Sequence, residues 1–234
     1  MNKLSVLVPV YNEARTISEL LRRVLAAPVP IAKEVLVCDD GSTDGTREIL
    51  TSLPPHPDLR IVFMDENVGR GGVLKHLLPQ ATGDIIIHQD ADLEYDPAAY
   101  GTLLEPILAG EADVVYGSRF KGEIRKMRAV NNLGNRVMSA MARLLYGIEL
   151  TDLMTCYKMY RADLLRGVTI HANGFNFEAE FTAKLARRGA RFREVPISFV
   201  GRTHAEGKKI RAGDAIHVIQ KLISCRLSAS PGVE

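Results

Sequence analysis

Four times before residue 90, a short apolar run rich in β-branched residues alternates with a helical pattern, and this recurrence constrains the chain more than any other feature. LSVLVPV (4–10), EVLVC (34–38), RIVFM (60–64) and DIIIH (84–88) read as buried strands. After the first of them Asn12 is placed to cap a helix, on which Ile17, Leu20, Leu21, Val24 and Leu25 share one face before Pro28 and Pro30 end it. Further helices are expected from STDGT to about residue 52 and around 73–78. Strands alternating with helices are the signature of βαβ units, so the expected class is α/β, a mainly parallel sheet flanked by helices. DVVYG (113–117) continues that sheet.

Beyond residue 122 the pattern is less regular. The stretch 127–146 carries Met127, Val130, Leu133, Val137, Met138, Met141, Leu144 and Leu145 among Lys126, Arg128, Arg136 and Arg143. Apolar helical spacing ordinarily faces protein, which makes this a core helix; the same composition also suits a helix lying on an anionic membrane. Helical spacing returns at 177–188, a strand is expected at 192–199 and a last helix at 212–227. With 234 residues, 46% of them hydrophobic, the chain fills one domain, 1–228, whose regular half is 1–122 and whose irregular half is 123–228. Residues 229–234 read as a flexible tail.

The charge balance, 30 Lys and Arg against 28 Asp and Glu, is too even for a nucleic-acid footprint. Cys38, Cys156 and Cys225 have no metal-binding or redox spacing and suit a reducing cytoplasm. No run of about 18 apolar residues is present and the N-terminus lacks a signal-peptide pattern, so the expected location is the cytoplasm or the cytoplasmic face of a membrane.

Ligands of parallel α/β sheets bind beyond the carboxyl ends of the strands, so the residues just after each strand are the ones to read. PVYNE, CDDGSTDGT and HQDADLEYDP stand there. Turn and cap chemistry explains any one of them alone, but three at successive strand ends is a stronger pattern. In the third, Asp90 and Asp92 repel each other unless a cation bridges them, and hard oxygen ligands favour Mg²⁺ or Mn²⁺. Glu94 would join the same face if the chain stays extended. A metal so held could clamp a diphosphate and neutralise charge on a leaving group. Neither a P-loop nor a GxGxxG fingerprint is present.

With VPVYNE and DDGSTDGT, residues 1–122 resemble the GT-A nucleotide-sugar domain of family 2 glycosyltransferases. GSRF (117–120), TDLMTCYKMYR (151–161) and the stretch from GFNFEAEF to EVPISFVGRTHAEGKKI (174–210) resemble the branch of dolichyl- and polyprenyl-phosphate sugar synthases. The resemblance implies a GT-A fold with an acceptor-side second half. It places Pro9, Tyr11, Glu13 and Asp39 or Asp40 on the nucleotide, where a ring face and a hydrogen-bond acceptor suit a base and ribose. Asp90, Ala91 and Asp92 would meet the donor diphosphate, with Asp90, Asp92 and Glu94 on the metal. Arg119, Arg202 and Lys208 would bind phosphates of donor or acceptor, and Asp92, Arg119 and Arg202 would carry the chemistry. For a single arginine the competing reading is an exposed surface cation. Leu133 stands where members using GDP-mannose often carry an arginine, which leaves the sugar open.

The implied reaction is inverting transfer of a hexose from a UDP- or GDP-linked sugar to a polyprenyl or dolichyl phosphate. Such an acceptor is already ionised, so positioning and charge neutralisation dominate. Competing readings are a family 2 enzyme acting on a hydroxyl, with Glu178 or Glu180 as base, and a non-catalytic nucleotide-sugar-binding module. Against the base role, both glutamates read as part of a solvated helical face.

Overall fold

A computed structural model of the chain describes residues 1–125, 129–202 and 214–228. Its strands in chain order are β1 (Lys3–Val10), β2 (Ala32–Asp39), β3 (Leu59–Phe63), β4 (Ile85–His88), β5 (Val114–Ser118), β6 (Ile124–Arg125), β7 (Lys158–Arg161), β8 (Phe192–Pro196) and β9 (Phe199–Val200). Among the described residues, seven of them form one sheet in the order β3-β2-β1-β4-β7-β5-β8, and β6 pairs with β9 beside it. All neighbouring pairs of the large sheet run parallel except those of β7, which is antiparallel to both β4 and β5. The expected α/β class with a mainly parallel sheet is therefore what the chain adopts.

The helices are α1 (Ile17–Ala26), α2 (Thr46–Ser52), α3 (Arg70–Leu77), α4 (Tyr100–Leu108), α5 (Ala129–Tyr146), α6 (Phe177–Arg187) and α7 (Asp214–Leu227). Side chains alternate across a strand with period two, so the sheet feeds two cores. Val6, Val8 and Val10 pack with Leu20, Val24, Leu50 and Leu103 of α1, α2 and α4. Leu7 and Leu36 pack on the other face with Val73, Leu77, Phe181, Leu185 and Leu222 of α3, α6 and α7.

Several expectations are corrected. Asn12 caps no helix: it sits in the left-handed region at φ 54°, its side-chain oxygen accepts the Thr43 N–H at 2.8 Å, and Thr16 precedes α1 instead. The strand expected over 192–199 is two strands, because β8 ends at Pro196 while Phe199 and Val200 pair with β6. A proline has no N–H to continue a ladder. β7 and α4 were not expected. KMYR is short and carries two cations, yet it lies centrally between β4 and β5; α4 contains Pro106, which reads as a breaker. The start of the last helix at 212–213, and the tail 229–234, lie outside the described residues.

Candidate functional site

β2, β1 and β4 are neighbours in the sheet and parallel, so their carboxyl ends bring the three polar clusters to one edge. Together they wall a cleft of about 410 Å³ lined by Pro9, Tyr11, Glu13, Asp40, Asp90, Ala91, Asp92, Glu94, Arg119 and Arg202. That volume is in the range of small-molecule sites. Of the anticipated residues, Asp39 does not line it, and Lys208 lies outside the described residues. Asp39 is fully buried with one oxygen bonded to Arg47 Nε at 2.9 Å; its other oxygen has no hydrogen-bond partner among the described residues.

Asp40 accepts the backbone N–H groups of Val68 and Gly69 at 2.8 and 3.0 Å and so fixes the loop that enters α3. That loop touches the second half of the chain. The Gly71 N–H donates to the Asn173 carbonyl at 2.7 Å, and a Cβ at Gly71 would lie 2.7 Å from the same oxygen, so only glycine fits there. At the head of α3, Arg70 faces the cleft. Its Nε donates to Asp90 at 2.8 Å, a second nitrogen bonds Glu178, and its third contacts Cys156 Sγ at 3.3 Å.

The acids after β4 do not follow an extended chain. Leu93 takes φ 61°, and Asp92 Oδ1 accepts the Glu94 N–H at 3.1 Å, which turns the backbone. Asp90 therefore meets Arg70, whereas Asp92 and Glu94 meet Arg202. The expected convergence of Asp90, Asp92 and Glu94 on one metal is not formed: among the described residues, no three His, Cys, Asp or Glu side chains are grouped to hold an ion. The donor chemistry of the first two still fits one. Burial, then the charges of Asp90 and Glu94, push the Asp92 carboxyl up to about 7, a crowding of anions that a divalent cation relieves. Asp90 and Asp92 supply the hard oxygens and both face the cleft.

Arg119 leaves the end of β5 and is no surface cation. Its Nε and one terminal nitrogen each donate to Asp152 at 2.7 Å, its backbone N–H donates to the same carboxylate at 3.0 Å, and it lies 5.1 Å over the Phe199 ring. Burial alone would lower its pKa, but Tyr95 and Asp152 hold it well above the ordinary arginine value. Asn135 of α5 donates to Asp152 as well. Arg202 is equally engaged, with two nitrogens on Glu13 at 2.9 and 3.0 Å and one on Asp92 at 2.9 Å.

Glu178 and Glu180 correct the solvated-face reading, since both are buried by the packing of α6 between sheet and α7. Glu180 pairs with Lys184 at 2.8 Å and accepts the His171 and Ala172 N–H groups. Glu178 pairs with Arg70 and with Lys158, a fully buried lysine of β7 that also bonds the Thr155 carbonyl. Asp90, Arg70, Glu178 and Lys158 thus form an alternating chain of charges from the cleft into the core. Beyond Asp90, the sequence names only Glu178 of these four, and as a candidate base rather than as an ion-pair partner. Arg70 stands in the glycine-rich NVGRGG (67–72) that runs into α3, while Lys158 and Glu178 meet only through the fold. α5 also divides: Met138 and Ala142 are buried, but Leu133, Val137 and Leu144 are exposed, so it is a core helix on one face only.

Comparison with known proteins places these features in a family. Residues 5–169 match the model described as Glycosyl transferase family 2. The chain is 33% identical over 216 residues to the undecaprenyl-phosphate mannosyltransferase of Micrococcus luteus, covering 86% of this chain and 85% of that one. It is 29% identical over 234 residues to the undecaprenyl-phosphate 4-deoxy-4-formamido-L-arabinose transferase of Edwardsiella ictaluri, covering 97% and 68%. Among solved structures, glucosyl-3-phosphoglycerate synthase from Mycobacterium tuberculosis, in complex with Mn²⁺, UDP and glucosyl-3-phosphoglycerate, superposes with a TM-score of 0.71 at 22% identity over 96% of this chain and 80% of that one. The last likeness is one of fold, the GT-A fold.

Proposed function

The chain belongs to glycosyl transferase family 2, and we propose that it moves a hexose from a UDP- or GDP-linked sugar to a polyprenyl phosphate with inversion. The observation that carries this reading is the meeting, in one cleft, of the acids after β1, β2 and β4 with Arg70, Arg119 and Arg202. Such a cleft has acceptors for a nucleoside and carboxylates for a cation, and it has guanidinium groups for phosphates. The names of the two bacterial relatives agree with a polyprenyl-phosphate acceptor.

In this reading Pro9 and Tyr11 offer apolar and aromatic surface to the nucleotide, and Asp40 or the unpartnered oxygen of Asp39 receives its N–H or hydroxyl donors. Asp90 and Asp92 hold Mg²⁺ or Mn²⁺, which when bound supplies neutralising charge for a departing diphosphate. Glu94 orients the segment through the Arg202 backbone N–H, at 2.6 Å. Arg119 and Arg202, with Lys208, hold the acceptor phosphate. Its oxygen forms the bond to the anomeric carbon as the bond from that carbon to the diphosphate oxygen breaks, and the electron pair leaves with the nucleotide. No strong base is required. Glu178, the acid that a hydroxyl acceptor would call on, is instead engaged in ion pairs with Arg70 and Lys158, which favours the phosphate acceptor.

Among the described residues no helix is long and apolar enough to cross a membrane. For a lipid acceptor we place the chain against the membrane surface, where the exposed Leu133, Val137 and Leu144 lie on one helix with Arg136 and Arg143. The test is product analysis after incubation with UDP- and GDP-hexoses, Mn²⁺ and undecaprenyl phosphate. An acid-labile, lipid-extractable sugar phosphodiester is expected; sugar recovered only on hydroxyl acceptors would reject the reading.

A further inference from the structure

We infer that Arg202 is a built-in counter-ion that occupies Asp92 before a divalent cation does, and that cation binding releases it toward the acceptor phosphate. The inference rests on the reading of Asp90 and Asp92 as cation ligands and of Arg202 as a phosphate contact, and adds the coupling between them.

The geometry is that of a cation already in place. Glu13 follows β1, while Asp92 and Glu94 follow β4, so three carboxylates from two strand ends surround one guanidinium that arrives just after β9. One terminal nitrogen of Arg202 bridges Glu13 at 3.0 Å and Asp92 at 2.9 Å, the other reaches Glu13 at 2.9 Å, and Nε lies 3.8 Å from Glu94. The backbone N–H of the same residue holds Glu94 at 2.6 Å, so the main chain is anchored independently of the side chain. The arginine side chain is 19% exposed and that of Asp92 13%, which leaves the pair in a medium where an unmatched charge is costly.

Oδ2 of Asp92 accepts Arg202 at 2.9 Å while Oδ1 accepts the Glu94 N–H at 3.1 Å, so a divalent ion and the guanidinium compete for Oδ2. A divalent ion that takes it must displace a guanidinium nitrogen, and the weakened clamp leaves Arg202 with donors facing the cleft it already lines. A phosphate monoester brought there offers the replacement acceptors, and a bidentate fork matches it. Cation and acceptor phosphate therefore help each other bind, although they need not touch. By linkage the help is reciprocal and of one size.

The experiment uses the full chain without nucleotide. Mn²⁺ affinity is read by electron paramagnetic resonance of the free ion in the wild type, Arg202→Gln and Arg202→Lys. Arg202→Gln is expected to bind Mn²⁺ about tenfold more tightly, a factor within the ordinary range of site coupling. Arg202→Lys keeps the charge but loses the fork, and is expected to tighten by a smaller factor. Affinity that is unchanged or weaker in Arg202→Gln overturns the inference. So does tightening in Arg202→Gln with none in Arg202→Lys, which would assign the effect to net charge.

Farnesyl phosphate, as a short polyprenyl phosphate, supplies the reciprocal arm by calorimetry. Mn²⁺ is expected to raise its affinity for the wild type about tenfold and to leave Arg202→Gln unmoved. Equal affinity with and without Mn²⁺ in the wild type overturns the exchange. Failure of the underlying cation assignment reads differently: Asp92→Ala would then bind Mn²⁺ as the wild type does.

Discussion

The two walls of the cleft are built in different ways. On the wall that we assign to the donor, Pro9, Tyr11, Glu13, Asp40, Asp90 and Asp92 each sit within a few residues of a parallel strand end, and the order β2-β1-β4 is enough to bring them together. On the wall that we assign to the acceptor each cation is held by a partner far away in the chain: Arg119 by Asp152, Arg70 by Glu178, Arg202 by Glu13. Topology alone places the first wall, whereas the second exists only once buried ion pairs have formed. The donor wall should tolerate loss of a side chain that is not a cation's main partner, such as Asp92, without loss of fold. The acceptor wall should not.

The sharpest contrast is expected from single substitutions on either side. Asp92→Ala should lower hexose transfer at least about a thousandfold, the loss of several kcal/mol of charge neutralisation, while urea denaturation stays close to wild type because relief of repulsion with Asp90 and Glu94 offsets the lost pair with Arg202, which keeps Glu13. Lys158→Met should do the reverse in emphasis. It leaves Glu178 with one of its two cations in the core and should cost about 3–5 kcal/mol of unfolding free energy. The double variant Lys158→Met with Glu178→Gln should recover part of that loss, and equal stability of single and double variants would break the contrast.

Asp152→Asn probes an ion pair within the acceptor wall. It keeps the volume but loosens Arg119, so turnover should fall about a hundredfold through misplacement while nucleotide affinity by calorimetry holds. The smallest effect is expected away from the cleft. Asp113 is bonded by Arg191, first through its side chain and then its backbone N–H, and its carboxyl is lowered to about 2. A lowered acid contributes stability above its unfolded value of about 4 and loses it as pH falls through about 2. Asp113→Asn should therefore flatten the acid limb of the stability curve between those values and leave transfer at neutral pH unchanged.

The same contrast explains what was legible in the amino-acid sequence. VPVYNE, DDGSTDGT and the DAD segment announce themselves because strand patterning is local and the ligand edge of a parallel sheet is known in advance. The strands β1 to β5 and helices α1 to α3 follow from the same local rules. Leu93 in the left-handed region is a local exception, since a leucine there gives no compositional warning that Asp92 and Glu94 will part from Asp90. β7 was hidden because its charged ends suit an exposed segment, and Lys158 is buried against Glu178, the Thr155 carbonyl and the Tyr116 ring, 4.8 Å away. Glu178 and Glu180 misled for the same reason. A charged residue on a helix reads as solvated unless its partner can be seen, and Arg70 stands 108 positions earlier.

Binding of a nucleotide-diphosphate sugar at the acids after β4 is the claim on which the rest depends, and thermal stability tests it most directly. The wild type should melt at higher temperature with one of the UDP- or GDP-hexoses plus Mn²⁺ than with Mn²⁺ alone, since a ligand of the native state stabilises it, and Asp92→Ala should lose that shift. No shift with any of these donors, or an equal shift in Asp92→Ala, would contradict a metal-assisted nucleotide-sugar site in this cleft.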